Sequence, residues 1–209
     1  MKLVNAPVGA CVFDSVGFSQ VGTAAQAVQA AVRCQGFGGY LGSVTPARLA
    51  SVLATGLGFF AYTYGGEWRN GPARTVAWMN ALQLPPGALV ACDVENITDT
   101  SDAGALASLQ QIRAWANGVT AAGFLAALYT APPQPFTGDE LGALPVTRYI
   151  ASAGLLQDRR GKEWTEPTHC GYVLRQVAPS VDAFGWGYPV DFSQVGQDRK
   201  GRGLPWVVA

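Results

Sequence analysis

One histidine, His169, and four widely spaced cysteines, Cys11, Cys34, Cys92 and Cys170, are the only imidazole and thiol groups in 209 residues. No C-x-x-C pair is present, and one imidazole gives a zinc site or a Ser-His-Asp triad little to draw on. The G-x-S-x-G nucleophile elbow is also missing, and His169 precedes an apolar run instead of ending one. Hydrolytic chemistry in this chain therefore falls to carboxylates. Cys11 and Cys92 sit inside apolar runs, where a thiol packs as a small hydrophobe, so buried free thiols are expected.

Charge is scarce and balanced. Fourteen Lys and Arg face fourteen Asp and Glu, and charged residues make up only 13% of the chain. A net charge of zero argues against a uniformly basic nucleic-acid binder, so no nucleic-acid partner is expected. No stretch approaches the roughly 18 uninterrupted apolar residues of a membrane span. The start, Met1-Lys2-Leu3-Val4-Asn5-Ala6-Pro7, lacks the apolar run of about 7–15 residues that a signal peptide needs. The expectation is a soluble protein made in the cytoplasm without an export signal of its own. An apolar content of 49% points to a packed core, and the absence of repeats or linkers predicts one domain over residues 1–209.

What the chain does have is rhythm. Short apolar runs alternate with helical patterns, the signature of β-α units around a parallel sheet. The first five runs are Ala10–Phe13, Gly38–Leu41, Phe59–Tyr64, Leu89–Cys92 and Phe124–Tyr129. Helices are predicted from about Thr23 to Arg33, from Thr45 to Gly56, from Pro72 to Leu84 and from Ser101 to Ala121. Thr45 is a good N-cap followed by Pro46, and Leu49, Val52 and Leu53 form an apolar stripe. In the longest helix Leu106, Leu109, Ile112, Ala116 and Val119 repeat at steps of three and four. After Thr130 the pattern changes. Pro132, Pro133 and Pro135 interrupt it, a short turn fits near Asp139–Leu144, and three runs follow at Thr147–Ala151, Gly171–Val177 and Tyr188–Phe192. Eight strands with helices confined to the first part predict an α/β, TIM-like barrel.

The acids fall at the strand ends. Asp14 ends the first run, Asp93 and Glu95 end the fourth, and Asp191 lies in the last. Barrels of this kind build their active sites at the C-terminal strand ends. Asp93 and Glu95 are two apart in an extended segment, so their side chains point the same way, with α-carbons roughly 6.6 Å apart. Repulsion and desolvation should keep one of them protonated near neutral pH, giving a general acid beside an anion, as glycoside cleavage requires. A lone Asp after a strand also serves as a turn or helix-cap residue, and Asp14, ahead of Ser15 and Gly17, fits that role too. Tyr40, Tyr62, Tyr64, Trp68, Tyr129 and Tyr149 lie near predicted strand ends, where rings stack on sugar faces or pack the barrel rim. Trp115, on the long helix, reads as packing.

The segments Val12-Phe13-Asp14-Ser15, Ala91-Cys92-Asp93-Val94-Glu95, Arg175-Gln176-Val177 and Pro189-Val190-Asp191-Phe192 resemble the family-25 glycoside hydrolases, the muramidase lysozymes. They also resemble the related glycoside-hydrolase-like domain of unknown function 1906. The resemblance covers roughly residues 9–195 and implies an irregular (β/α)5β3 barrel. It implies that Glu95 is the general acid, and that Asp93 steers and stabilises the N-acetyl group of the substrate. Asp14 and Asp191 are implied as supporting acids at the sugar, with Tyr40, Tyr62, Tyr64, Trp68, Tyr129 and Gln176 as further candidates for substrate contact. The implied substrate is the β-1,4 bond of peptidoglycan, with no metal or organic cofactor. Ala61-Tyr62-Thr63-Tyr64 stands where family 25 usually carries an aromatic-His-aromatic segment, and Thr45 to Gly58 looks closer to the relatives of unknown function.

The expected protein is thus a phage- or prophage-derived peptidoglycan hydrolase, reaching the wall through a holin or as a virion component beside other virion proteins. The alternative is a non-catalytic carbohydrate-binding or structural barrel module of a phage tail or similar particle. The presence of both Asp93 and Glu95 favours the enzyme. Half of the fourteen basic residues, Arg159, Arg160, Lys162, Arg175, Arg199, Lys200 and Arg202, lie in the last quarter. They form either a cationic face or solvated loops.

Overall fold

The structure is a computed structural model that describes residues 1–64, 66–95, 97–131, 135–153, 156–158, 160–164 and 170–209. Pro132, Pro133, Arg159 and His169 lie outside the described residues. The chain runs β1 (Lys2–Asn5), β2 (Cys11–Asp14), α1 (Val16–Val21), α2 (Ala24–Ala31), β3 (Gly36–Tyr40), α3 (Pro46–Ala54) and β4 (Gly58–Tyr62). A 3-10 turn (Glu67–Asn70), α4 (Ala73–Ala81), β5 (Leu89–Val94), α5 (Asp102–Ala121), β6 (Leu125–Thr130), α6 (Gly138–Gly142) and β7 (Arg148–Ala151) follow. The last elements are β8 (Leu156–Gln157), β9 (Glu163–Trp164), β10 (Leu174–Val181), β11 (Val190–Val195) and β12 (Pro205–Val208).

Strands β2 to β7, β10 and β11 close into an eight-stranded, TIM-like barrel, sealed where Tyr62 of β4 pairs with Ala91 of β5. All run parallel except β11, which is antiparallel to both β10 and β2. The expected parallel sheet is corrected at this one strand. With no helix between β10 and β11 the chain returns as a hairpin, and a hairpin pairs antiparallel. Helices cover the outside after β2, β3, β4 and β5, and α6 adds a single short turn after β6. No described helix is long and apolar enough to cross a membrane.

The helix starts follow local chemistry. Thr45 accepts from Arg48 N at 3.2 Å with Pro46 in the first turn, and Ser101 caps α5 by accepting from Gly104 N at 3.1 Å. Thr23 and Gln26 form a reciprocal capping box. Two helical features differ from expectation. The six-residue α1 is carried by its own Ser15 cap without a long apolar period. Leu106 is exposed and Ala105 takes its place on the buried face of α5, which also carries Leu109, Ile112, Trp115, Ala116 and Val119. Trp115 is fully buried and its indole donates to Thr75 Oγ1 at 3.0 Å, a packing role. All four cysteines are free thiols, with Cys11 half-buried and the other three buried.

The period of two along each strand divides the core into two parts. Phe13, Phe37, Phe59, Val90 and Leu128 face the helices. Val12, Phe60, Leu89, Ala91, Ala127 and Leu174 fill the barrel. Its floor is closed by an apolar run, residues 204–208, that lies outside the eight predicted strands. Strand β1 pairs with β12, β12 pairs with β4, and Trp206 is carried into the barrel interior against Gly36 and Gly58. A Cβ at either glycine would overlap the indole, so glycine there leaves the room that the ring fills.

Gly58→Ala should therefore destabilise the protein by about 1–3 kcal/mol in urea denaturation. Trp206→Ala should cost on the order of 3–5 kcal/mol, and Gly58→Ala should become much cheaper in that background. Strictly additive losses would contradict the assigned contact.

Candidate active site

Opposite the Trp206 floor, the C-terminal ends of the parallel strands surround a cavity of about 510 Å³. Asp14 is the last residue of β2, Asp93 is the penultimate residue of β5, and Glu95 follows that strand directly. Asp191 is near the start of β11, and because β11 is antiparallel its start lies at the same mouth. The ladder sets Asp191 directly across from Asp14. All four acids line the cavity together with Tyr62, Tyr64, Tyr129 and Gln176.

Each acid faces inward for a local reason. Along β5, Leu89 and Ala91 point into the barrel while Val90, Cys92 and Val94 pack outward, so Asp93 points inward by the same alternation. Asp14 follows Phe13, which faces the helices, and sits beside Gly38, where a Cβ would press on both Asp14 and Phe60. The turn role open to Asp14 is taken by Ser15, whose Oγ accepts from Phe18 N at 3.2 Å and donates to the Pro189 carbonyl at 2.7 Å. Asp191 accepts a hydrogen bond from Ser180 N. Ser180, a non-glycine residue at φ 54°, sits in the irregular end of β10 where the pairing with β11 shifts.

The cavity holds protons tightly. Burial raises Asp14 well above the ordinary carboxylate range, and the charges of Asp191, Asp93 and Glu95 add to the shift. Burial first, then Glu95 and Asp191, pushes Asp93 up to about 8. Asp93 is only 8% exposed and its Oδ1 has no hydrogen-bond partner. Glu95 is also raised by burial and by Asp191, but a hydrogen bond with the Tyr129 hydroxyl works against that. That hydroxyl also lies 3.1 Å from Gln176 Oε1, which competes with Glu95 for its one proton. Tyr62 is pushed upward by burial and then by Asp14, Asp93 and Asp191, so it remains a phenol, able to donate its O–H. The expected shared proton is thus held most firmly on the deeper acid, Asp93, while Glu95 sits nearer solvent.

Two of the expected substrate residues lie elsewhere. Trp68 is fully buried and its indole donates to the Asp93 carbonyl at 3.0 Å, so it positions β5 from behind and offers no face to a sugar. Tyr40 is not in the cavity wall. Its hydroxyl donates to Glu67 at 2.8 Å and its ring meets Tyr62 and Tyr64 at centroid distances of 6.1 and 5.8 Å. Tyr149 is likewise core, donating to the Leu141 carbonyl at 2.7 Å. Ser15, Ser152, Ser180 and Ser193 line the cavity and were missed, because isolated serines carry no periodic signal. Of the late basic residues, Arg202 pairs with Asp198 at 2.7 Å and Arg175 lies over the Tyr172 ring. Arg160, Lys162 and Lys200 are exposed, and none of the described late bases lines the cavity. Among the described residues, no group of three or more His, Cys, Asp or Glu is arranged to hold a metal ion.

No protein-family model matches this chain, and no curated protein matches it. Among solved structures it is similar to an uncharacterized B. stearothermophilus protein at 16% identity and a TM-score of 0.62. That likeness covers 92% of this chain and 97% of the other. At this identity the two share the barrel fold.

An acid raised on folding favours the folded state at low pH and withdraws that contribution as pH rises from its unfolded value to its folded one. For Asp93 the window runs from 3.8 to about 8. Asp93→Asn should therefore match wild type near the bottom of that window. Its relative stability should then grow by up to about 1.4 kcal/mol per pH unit toward the top. Denaturant titrations across the window would show a constant difference if Asp93 were not so perturbed.

Proposed function

We propose that the protein is a glycoside hydrolase of the muramidase type, cleaving β-1,4 bonds in the amino-sugar backbone of peptidoglycan. The observation that carries this reading is the convergence of four carboxylates from β2, β5 and β11 on one cavity with an apolar floor. Burying repelling acids opposes folding, and a surface that only bound sugar would gain nothing from keeping Asp93 and Glu95 side by side. In this reading Glu95, nearer solvent and bonded to Tyr129, donates its proton to the leaving glycosidic oxygen. Asp93 faces the substituent at C2 of the sugar and hydrogen-bonds it, steering that group as the anomeric centre reacts. Asp14 and Asp191 set the proton distribution around that pair. Tyr62, Tyr64 and Tyr129 supply ring faces and O–H groups to the glycan. The protein then acts at the cell wall as a phage or prophage component, released through a holin or carried in the particle.

Wild type should release soluble fragments with new reducing ends from purified peptidoglycan. Glu95→Gln, still folded by circular dichroism, should lose on the order of 10²–10⁴ of that rate, the usual contribution of a general acid. Because Glu95 must be protonated to act, release should fall as pH rises through its elevated value. A folded wild type that releases nothing from several wall types would instead favour a non-catalytic glycan-binding barrel.

A further inference from the structure

Cys11 opens β2 at the floor end of the barrel, at the opposite end of that strand from Asp14. Val12 fills the barrel interior, so the alternation turns Cys11 outward toward the helices, where Cys34 lies in the link from α2 to β3. Their sulfurs lie 3.5 Å apart, although the residues are 23 positions apart in the chain. Gln35 clamps the two segments. Its N–H donates to the Cys11 carbonyl at 2.8 Å, and its side-chain oxygen accepts from Cys11 N at 2.7 Å. Cys34 N donates to the Ala30 carbonyl at 2.9 Å, which ties this residue to the end of α2. Cys34 stands one residue before the position opposite Cys11, which sets the α-carbons roughly 6 Å apart at ordinary strand spacing. A disulfide spans that separation, and its S–S bond of about 2.05 Å is reached by rotating the two side chains. Cys11 is half-buried and open to a small reagent, whereas Cys34 is only 2% exposed. The Cys34 thiol hydrogen-bonds the Cys11 sulfur and pulls Cys11 down to about 7, against the opposing effect of burial. A half-exposed thiolate beside a buried thiol is the arrangement of an attacking and a resolving cysteine.

We propose that Cys11 and Cys34 are a peroxide-oxidised thiol pair whose disulfide staples the start of β2 to the end of α2. The Cys11 thiolate attacks one oxygen of hydrogen peroxide and the O–O bond breaks. Cys11 becomes a sulfenic acid, and the other oxygen leaves as hydroxide, which takes up the proton that Cys11 had released. The Cys34 sulfur then attacks the Cys11 sulfur, the S–O bond breaks, and the hydroxyl leaves with the Cys34 proton as water. Peroxide gains two electrons and each thiol loses one. The bridge closes a segment that contains α1 and α2, and so removes freedom from the unfolded chain. Helix α2 also carries Gln29, which holds Trp186 of the β10–β11 hairpin, so the staple secures the helix on which that hairpin rests. Neither cysteine lines the acid cavity, and the proposal is independent of the reaction carried out there.

Reduced wild type is treated with a small molar excess of hydrogen peroxide. Thiols are then counted in denaturant, beside intact mass and peptide mapping without reductant. Two of the four thiols should disappear, with loss of two hydrogens and a peptide pair joined through Cys11 and Cys34. Dithiothreitol should restore all four. The bridged protein should melt about 5–10 °C above the reduced protein, and the rise should vanish on reduction. Cys34→Ser should leave Cys11 as a sulfenic acid, trapped by dimedone, and Cys11→Ser should leave Cys34 unoxidised. Four intact thiols after peroxide, or a sulfinic acid at Cys11 with no bridge, overturns the proposal. A bridge to Cys92 or Cys170, or between two chains, overturns it as well. A Cys11–Cys34 bridge that leaves Tm unchanged or lowers it overturns the staple. The wild-type thiol count and mapping carry the test even where a serine variant fails to fold.

Discussion

Across the ladder between β2 and β11, Asp14 faces Asp191, and one residue along Phe13 faces Phe192. The two pairs point to opposite sides of the sheet. Inside, two acids meet in a low-dielectric barrel, where ionising both would weaken the strand pair. Outside, the rings of Phe13, Phe18, Phe37, Phe184 and Trp186 form one aromatic cluster, with Phe184 stacked on Trp186 at 4.4 Å. Each such ring pair contributes about 0.5–1.5 kcal/mol beyond area burial, so the outer face offsets what the inner face opposes. The hairpin that carries Asp191 is held against α2 by the Trp186 indole, which donates to Gln29 at 2.7 Å. The register of a single antiparallel strand therefore both assembles the acid cluster and depends on aromatic packing to keep it assembled.

The rest of the barrel serves the same end. Trp206, seated on Gly36 and Gly58, closes the floor, and the apolar layer of Val12, Phe60, Ala91, Ala127 and Leu174 keeps water from reaching the acids from below. Burial then raises Asp14 and Asp93 strongly, while Glu95, less deeply placed and bonded to Tyr129, is raised less. A graded set of carboxylates at one mouth is the arrangement that the proposed general acid chemistry requires. Stability is surrendered where the acids are concentrated, a pattern common to functional sites.

Much of the scaffold is legible in the linear chain. The apolar runs locate all eight barrel strands to within a few residues; β3, β4 and β5 are buried on both faces and so apolar almost throughout, whereas β10 and β11 are partly exposed and are placed more loosely. Thr45-Pro46 and Ser101 mark helix starts by the same capping chemistry that the structure displays. Elements outside those eight runs are missed, β12 despite the apolar stretch of residues 204–208. The exposed β1 and the short β12 form only by pairing with each other and with β4. The α1 turn depends on the Ser15 cap, and the β8–β9 hairpin is two residues on each side. Leu106 fits the helical period of α5 and yet faces solvent, because Ala105 occupies the closer position against the barrel.

By itself the sequence determined the order of the eight barrel strands and the longer helices, the alternation that carries Asp93, and the candidacy of Asp14, Glu95 and Asp191, since all follow from local periodicity and from acids set at the ends of apolar runs. Only the tertiary structure decided that β11 runs antiparallel and so brings Asp191 opposite Asp14. It also decided that Trp68 and Tyr40 stand outside the cavity, that Ser180 reaches Asp191, and that Trp206 seals the floor. Those facts rest on contacts between residues far apart in the chain. A side chain's neighbours across a closed barrel are set by register and closure, which no local pattern encodes.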